Sequence, residues 1–146
     1  MFQRITTVLF IIFVMLVSFI SPAMAANSQC FSFSNPDSIN GPFGTLQLEL
    51  PSTSGDVSGE VTIDTLFGLG TETKLDTTGT CDDNQDLICK MEGKGYLTSI
   101  GNPPKPVTMA MTLDLDSSRD KGFISFKADL PETFGNGLPV TKGCTK

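Results

Sequence analysis

From residue 46 onward, apolar and polar side chains alternate with a period of two, the spacing that sends neighbours to opposite faces of a β-strand. The clearest stretch is 107–116. Val107, Met109, Met111, Leu113 and Leu115 point one way; Thr108, Ala110, Thr112, Asp114 and Asp116 point the other. A run of turn formers at 117–122 follows, then Ile124, Phe126, Ala128 and Leu130 alternating with polar residues, which predicts a hairpin. Setting Leu115 opposite Ile124 also sets Leu113 opposite Phe126 and Met111 opposite Ala128. The same logic gives an earlier hairpin: Leu46, Leu48 and Leu50, a loop over 51–56, then Val57, Val61 and Ile63 on the apolar face. Further strands are expected over 71–78, 86–92 and 95–100, with short ones near 31–33 and 138–140. Asn102-Pro103-Pro104-Lys105-Pro106 reads as a stiff extended loop capping the end of the sheet.

No stretch carries the 3.6-residue stripe of an amphipathic helix. The expectation is therefore an all-β domain of seven or eight short antiparallel strands, closed as an up-and-down barrel. A two-sheet sandwich is the alternative way to bury the same faces.

The first 25 residues break this pattern. Arg4 precedes an apolar run from Ile5 to Ile20, then Ser21-Pro22 and Ala23-Met24-Ala25. This is the charged, apolar and small-residue order of a secretory signal peptide, with cleavage expected after Ala25 and a single domain over 26–146. The competing reading is a retained membrane anchor, for which the run is short of the ~20 residues that span a bilayer. All four cysteines follow the signal, so two disulfides in the periplasm or the medium are expected. Of the three pairings, Cys81 with Cys89 and Cys30 with Cys144 is favoured. The near pair brackets a polar loop, and the distant pair lies close to the two ends of the mature chain.

Charge and inventory then exclude functions. Removing Arg4 from the 10 Lys and Arg leaves 9 cations against 16 acids, a net of −7. Such a surface repels phosphate backbones and anionic headgroups, so neither nucleic-acid binding nor electrostatic membrane binding is expected. There is no His, which removes the Ser-His-Asp triad and histidine-ligated metals.

Three groups remain as candidate chemistry. Asp82, Asn84 and Asp86 begin a calcium-loop spacing, but Leu87 stands where the sharp turn needs Gly and Gly93 where the bidentate Glu belongs. An acidic loop clamped by a disulfide explains them without metal. Asp114 and Asp116 share a polar strand face ~7 Å apart, a spacing that inverting glycosidases use. A solvated strand face is the better account, since nothing apolar is expected beside them to raise a pKa. Leu66, Phe67 and Leu69 form an apolar, glycine-rich segment that would be a partner patch if exposed and a strand end if buried.

The function expected from these exclusions is a non-enzymatic binding module without a cofactor. It would hold a small apolar molecule in the barrel mouth, lined by Met109, Met111, Phe126 and Tyr96. The rival is a protein-interaction or inhibitor module acting through loops 66–70 and 81–89, and an enzyme of unknown type ranks third. The processing step is directly testable: mass spectrometry of the exported protein should find Ala26 at its start. A mass that retains Met1 to Ala25 would identify a membrane anchor instead.

Overall fold

The alternation predicts strands, and strands are what the chain forms. The computed structural model describes residues 28–35, 42–65, 71–128 and 137–144. Eight strands follow in order: β1 (Ser28–Ser34), β2 (Phe43–Glu49), β3 (Gly55–Thr65), β4 (Thr71–Asp83), β5 (Leu87–Ser99), β6 (Asn102–Leu115), β7 (Lys121–Ala128) and β8 (Leu138–Lys142). Each pairs antiparallel with the next, and β8 pairs back onto β1, so the sheet closes into an up-and-down barrel rather than a sandwich. Both expected disulfides are formed, Cys30–Cys144 and Cys81–Cys89. They are the bonds of an oxidising compartment.

Parity sets which face is buried. Phe31, Phe33, Leu46, Leu48, Val61, Leu75, Met91, Met111, Leu113 and Phe126 fill the interior, while Glu60, Lys74, Asp76, Lys90, Glu92 and Lys94 stand outside. Large side chains are accommodated where a neighbour is glycine. Gly44 lies beneath the Phe33 ring, whose Cζ would come within 2.8 Å of an added Cβ, and Gly93 leaves the same room for the tip of Met111 at 2.7 Å. The Phe33 and Phe126 rings meet at 5.3 Å between centroids, tilted by 47°, an arrangement that suits the aromatic quadrupoles.

The structure corrects the sequence expectation in three places. The segments 86–92 and 95–100 are one strand, β5, because Gly93 occupies an inner position instead of a turn. Asn102–Pro106 is not a loop but the first part of β6, paired with β5 through Leu97–Lys105 and Tyr96–Pro106. Among the described residues its pairing with β7 covers Met109 to Leu115, and proline is tolerated where one side of a strand needs no ladder hydrogen bond. The β6–β7 register is also displaced by two residues. Leu113 faces Ile124, Met111 faces Phe126, Met109 faces Ala128, and Leu115 faces Gly122. A shift of two keeps every side chain on its face, so alternation cannot detect it.

The turn sets that register. The Asp116 N–H donates to the Lys121 carbonyl at 2.9 Å and the Arg119 N–H to the Asp116 carbonyl at 2.8 Å, which leaves Arg119 at φ 58°. From there its guanidinium donates to the carbonyls of Pro51 (2.9 Å) and Ser52 (2.8 Å) and pairs with the Asp83 carboxylate (2.9 Å). One side chain thus ties the β2–β3, β4–β5 and β6–β7 turns together.

Charged hydrogen bonds to partly exposed partners of this kind stabilise by about 1–2 kcal/mol. Arg119→Ala should therefore lower the melting temperature of the oxidised protein by several degrees. Arg119→Gly should lower it less, since glycine adopts a positive φ without penalty. Thermal unfolding followed by circular dichroism reads both, and unchanged values would show that the clasp contributes nothing.

Candidate functional site

Chain order gives the barrel two unlike ends. One carries the turns 50–54, 84–86 and 116–120 and the outer ends of β1 and β8. At this turn end Arg119 draws three turns together, the Ser54 hydroxyl accepts a bond from the Asp83 N–H at 2.9 Å, and the Lys142 N–H donates to the Asp120 carbonyl at 2.7 Å. Beneath them Leu50, Leu87 and Leu115 form an apolar floor, with Leu87 and Leu115 directly opposed. Gln29, also near this end, has the one buried side-chain oxygen without a hydrogen-bond partner among the described residues. The inner-facing Cys81–Cys89 bridge and the outer-facing Cys30–Cys144 bridge both lie near this end as well.

The other end receives the connections β1–β2, β3–β4, β5–β6 and β7–β8. Among the described residues the inner face here is buried at Phe33, Ile63, Thr73 and Leu138 and half-covered along β5 and β6. Going inward from this mouth, the register gives the row Thr73–Leu97–Lys105, then Leu75–Gly95–Val107, then Thr77–Gly93–Met109, then Gly79–Met91–Met111–Phe126. Leu97, Gly95 and Val107 are half-buried, whereas Met109, Met111 and Phe126 are buried. Along β5 and β6 the interior wall therefore runs from a half-covered rim to an apolar centre, while Thr73 and Leu75 on β4 beside it are buried.

Three of the four residues expected to line a mouth are brought together on this wall. Met111 opposes Phe126, and Met109 sits one row closer to the rim. Tyr96 does not join them. It is 60% exposed on the outer face, between Lys74 and Pro106. The reason is the continuity of β5: alternation carried from Cys89 and Met91 through Gly93 places Leu97 inside and Tyr96 outside. Leu66, Phe67 and Leu69 lie outside the described residues.

The outer face is charged, the inverse of a transmembrane barrel, whose apolar band faces lipid. Around Tyr96 it forms an open cleft of about 510 Å³ with Glu60, Lys74, Asp76 and Lys94 on its walls. The cations there are already paired: Lys74 with Glu72 at 3.2 Å and Lys94 with Glu92 at 2.8 Å, bonds that hold both ammonium pKa values above the ordinary one. A second outer cleft holds Phe43, Ser32, Thr45 and Asp64. Partial burial, reinforced by repulsion from Glu72, raises the Asp64 pKa, and Lys74 opposes the rise.

The acidic candidates are engaged elsewhere or dispersed. Asp116 accepts from the Ser118 hydroxyl at 2.7 Å and from backbone N–H groups of the turn, which lowers its pKa. That is the opposite of what a catalytic acid requires. Asp114 stands on the outer face between exposed Ile88 and Phe123 in the register, so contrary to the sequence expectation it has apolar neighbours, supplied by the adjacent strands β5 and β7. Asp82, Asn84 and Asp86 are all exposed, and no set of three metal-capable side chains converges among the described residues. The residue of this loop with a structural bond is Asp83, held by Arg119. Sequence reasoning passed over Arg119, although it is the one arginine after residue 25 and stands among turn formers. It also passed over Leu97 and Lys105, whose opposition depends on β6 beginning at Asn102, whereas Val107 was expected on the apolar face but not at the rim.

A calcium titration tests the acidic loop. Millimolar calcium should raise the melting temperature no more than magnesium does, and an Asp82→Ala plus Asp86→Ala variant should respond identically. A calcium-specific rise of several degrees, lost in the variant, would show a site, because a ligand of the folded state stabilises it by ~1.4 kcal/mol at ten times its Kd.

Comparison with protein-family models, with curated proteins and with solved structures returns no match, so the functional reading rests on the asymmetry between the two ends of this barrel.

Proposed function

We propose that this chain is an exported, non-enzymatic binding module that holds a small apolar molecule at the mouth end of its barrel. The observation that carries the reading is the contrast between the ends. The turn end is tied by Arg119 and floored by Leu50, Leu87 and Leu115, while the mouth end leads past half-buried Leu97 and Val107 to buried Met109, Met111 and Phe126. Eight strands enclose an interior that side chains fill or that one small ligand occupies. Methionine suits the second case, since its unbranched thioether changes rotamer to admit a guest. Export to the periplasm or the medium agrees with the signal-like start of the chain and the two disulfides.

A second reading, a protein-interaction module, is favoured by exposed apolar side chains outside the barrel: Tyr96, Ile100 at 71% and Phe123 at 59%. Phe123 lies near exposed Ile88, the two flanking Asp114 on neighbouring strands, whereas Tyr96 and Ile100 lie toward the other end of β5. Loop 81–89 also offers less than its sequence indicated, because Cys81, Leu87 and Cys89 are buried.

The oxidised mature protein should enhance the fluorescence of an uncharged apolar reporter, N-phenyl-1-naphthylamine, saturably and at one site per chain. Val107→Trp, which fills the rim, should weaken binding at least tenfold, and Tyr96→Ala on the outer face should leave it unchanged. Absence of saturable binding, or sensitivity to Tyr96→Ala alone, would overturn the reading.

A further inference from the structure

On the outer face the register sets Tyr96 between Lys74 and Pro106, and one row toward the turn end it sets Asp76 between Glu60 and Lys94. Both rows border the open cleft of about 510 Å³, with Gly95 between Lys94 and Tyr96 in its floor. A Cβ on Gly95 would collide with the Lys74 carbonyl, so glycine is what lets β4 and β5 lie this close beside the ring. The three strands that carry Glu60, Lys74, Asp76, Lys94 and Tyr96 are each paired along both edges, β3 by β2 and β4, β4 by β3 and β5, and β5 by β4 and β6. Their side chains are therefore placed by ladders and not by a loop.

Two kinds of chemistry meet here. Tyr96, 60% exposed, offers an aromatic face, and Pro106 directly across the ladder extends it as a small apolar platform. Beside the platform stand hydrogen-bonding groups of both senses. Asp76 and Glu60 accept. Lys74 and Lys94 are bound by Glu72 at 3.2 Å and Glu92 at 2.8 Å, and an ammonium has three N–H donors, so each is steadied by its carboxylate with donors to spare.

This composition selects the ligand by charge. An anion would meet Asp76 and Glu60, a cation would meet Lys74 and Lys94, and a wholly apolar molecule would cover charged groups without replacing their water. A neutral molecule with one apolar face and a polar edge satisfies all of them. A pyranose has that form: its axial C–H bonds make a face that suits the negative face of an aromatic ring, and its equatorial hydroxyls both donate and accept around the edge.

We propose that the Tyr96 cleft is a separate binding site for a neutral saccharide, with one pyranose ring stacked on Tyr96 and its hydroxyls shared among Asp76, Glu60 and Lys94. The site lies on the outside of the barrel wall, whereas Met109 and Met111 are buried inside it, so it stands independently of the apolar site proposed above.

Tyr96 is the one tyrosine of a chain without tryptophan, so tyrosine emission reports this site alone. Titration of the oxidised mature protein with cellobiose or lactose should change that emission saturably, with a Kd on the order of 1 mM, the range of one stacked ring with a few solvated hydrogen bonds. Asp76→Asn, at an exposed position, should weaken binding about tenfold while keeping the tyrosine signal. Tyr96→Ala should abolish binding read by calorimetry, and Asp114→Asn at the other end of the outer face should leave it unchanged. Glucuronate and glucosamine, which add one negative or one positive charge to the ring, should compete at least threefold more weakly than glucose.

Absence of saturable binding by both emission and calorimetry, or affinities unaltered in Asp76→Asn and Tyr96→Ala, would overturn the site. Tighter competition by either charged sugar would overturn the neutral assignment. N-phenyl-1-naphthylamine should bind equally with and without saccharide, and displacement of one by the other would show a single shared site and overturn the proposal of two.

Discussion

Everything in this molecule depends on closure of the sheet at its narrowest seam. β1 and β8 meet through three residue pairs, Phe31–Lys142, Ser32–Thr141 and Phe33–Val140, with one more backbone bond from Gly143 to the Cys30 carbonyl at 2.7 Å. The other neighbouring strands are joined over longer ladders, up to the full lengths of β4, β5 and β6. Were the short seam to open, the interior Phe31 and Phe33 would lose one wall and two strand edges would stand unpaired, an invitation to aggregation. The Cys30–Cys144 bridge lies beside it and spans 114 residues of sequence. By the chain-entropy account a loop of that size is worth roughly 4–5 kcal/mol, enough to hold a seam that three pairs would hold weakly.

Closure makes an inside, and the two ends then differ because their connections differ. At the turn end a single guanidinium reaches carbonyls in one turn and a carboxylate in another, converting three separate hairpins into one lid. The disulfide Cys81–Cys89 lies within this half, its sulfurs facing the interior between Leu113 and Gly55. At the mouth end the wall is instead prolonged by the β5–β6 hairpin, where Leu97 and Val107 are only half-covered. The difference between the tied turn end and the half-covered β5–β6 wall is the observation on which the proposed binding role rests.

Alternation along the chain was enough to establish much of this. It requires Leu46, Leu48, Val61, Met111, Leu113 and Phe126 to share one side of a sheet, because a strand has only two faces and one of them must leave water. Cysteine count and position were enough for the pairing of Cys30 with Cys144, since the ends of a closed meander meet. Other features needed the tertiary structure. The displacement of the β6–β7 register by two residues is invisible to a period of two, and the turn geometry around Arg119 decides it. Tyr96 passed from the expected lining to the outer surface because Gly93 continues a strand rather than ending one, a choice made by the space Met111 needs. The proline-rich segment that carries Lys105 became part of a strand only through its pairing with β5. Local pattern determines which face a side chain takes; which strand it meets, and at which end of the barrel, depends on contacts between residues far apart in the chain.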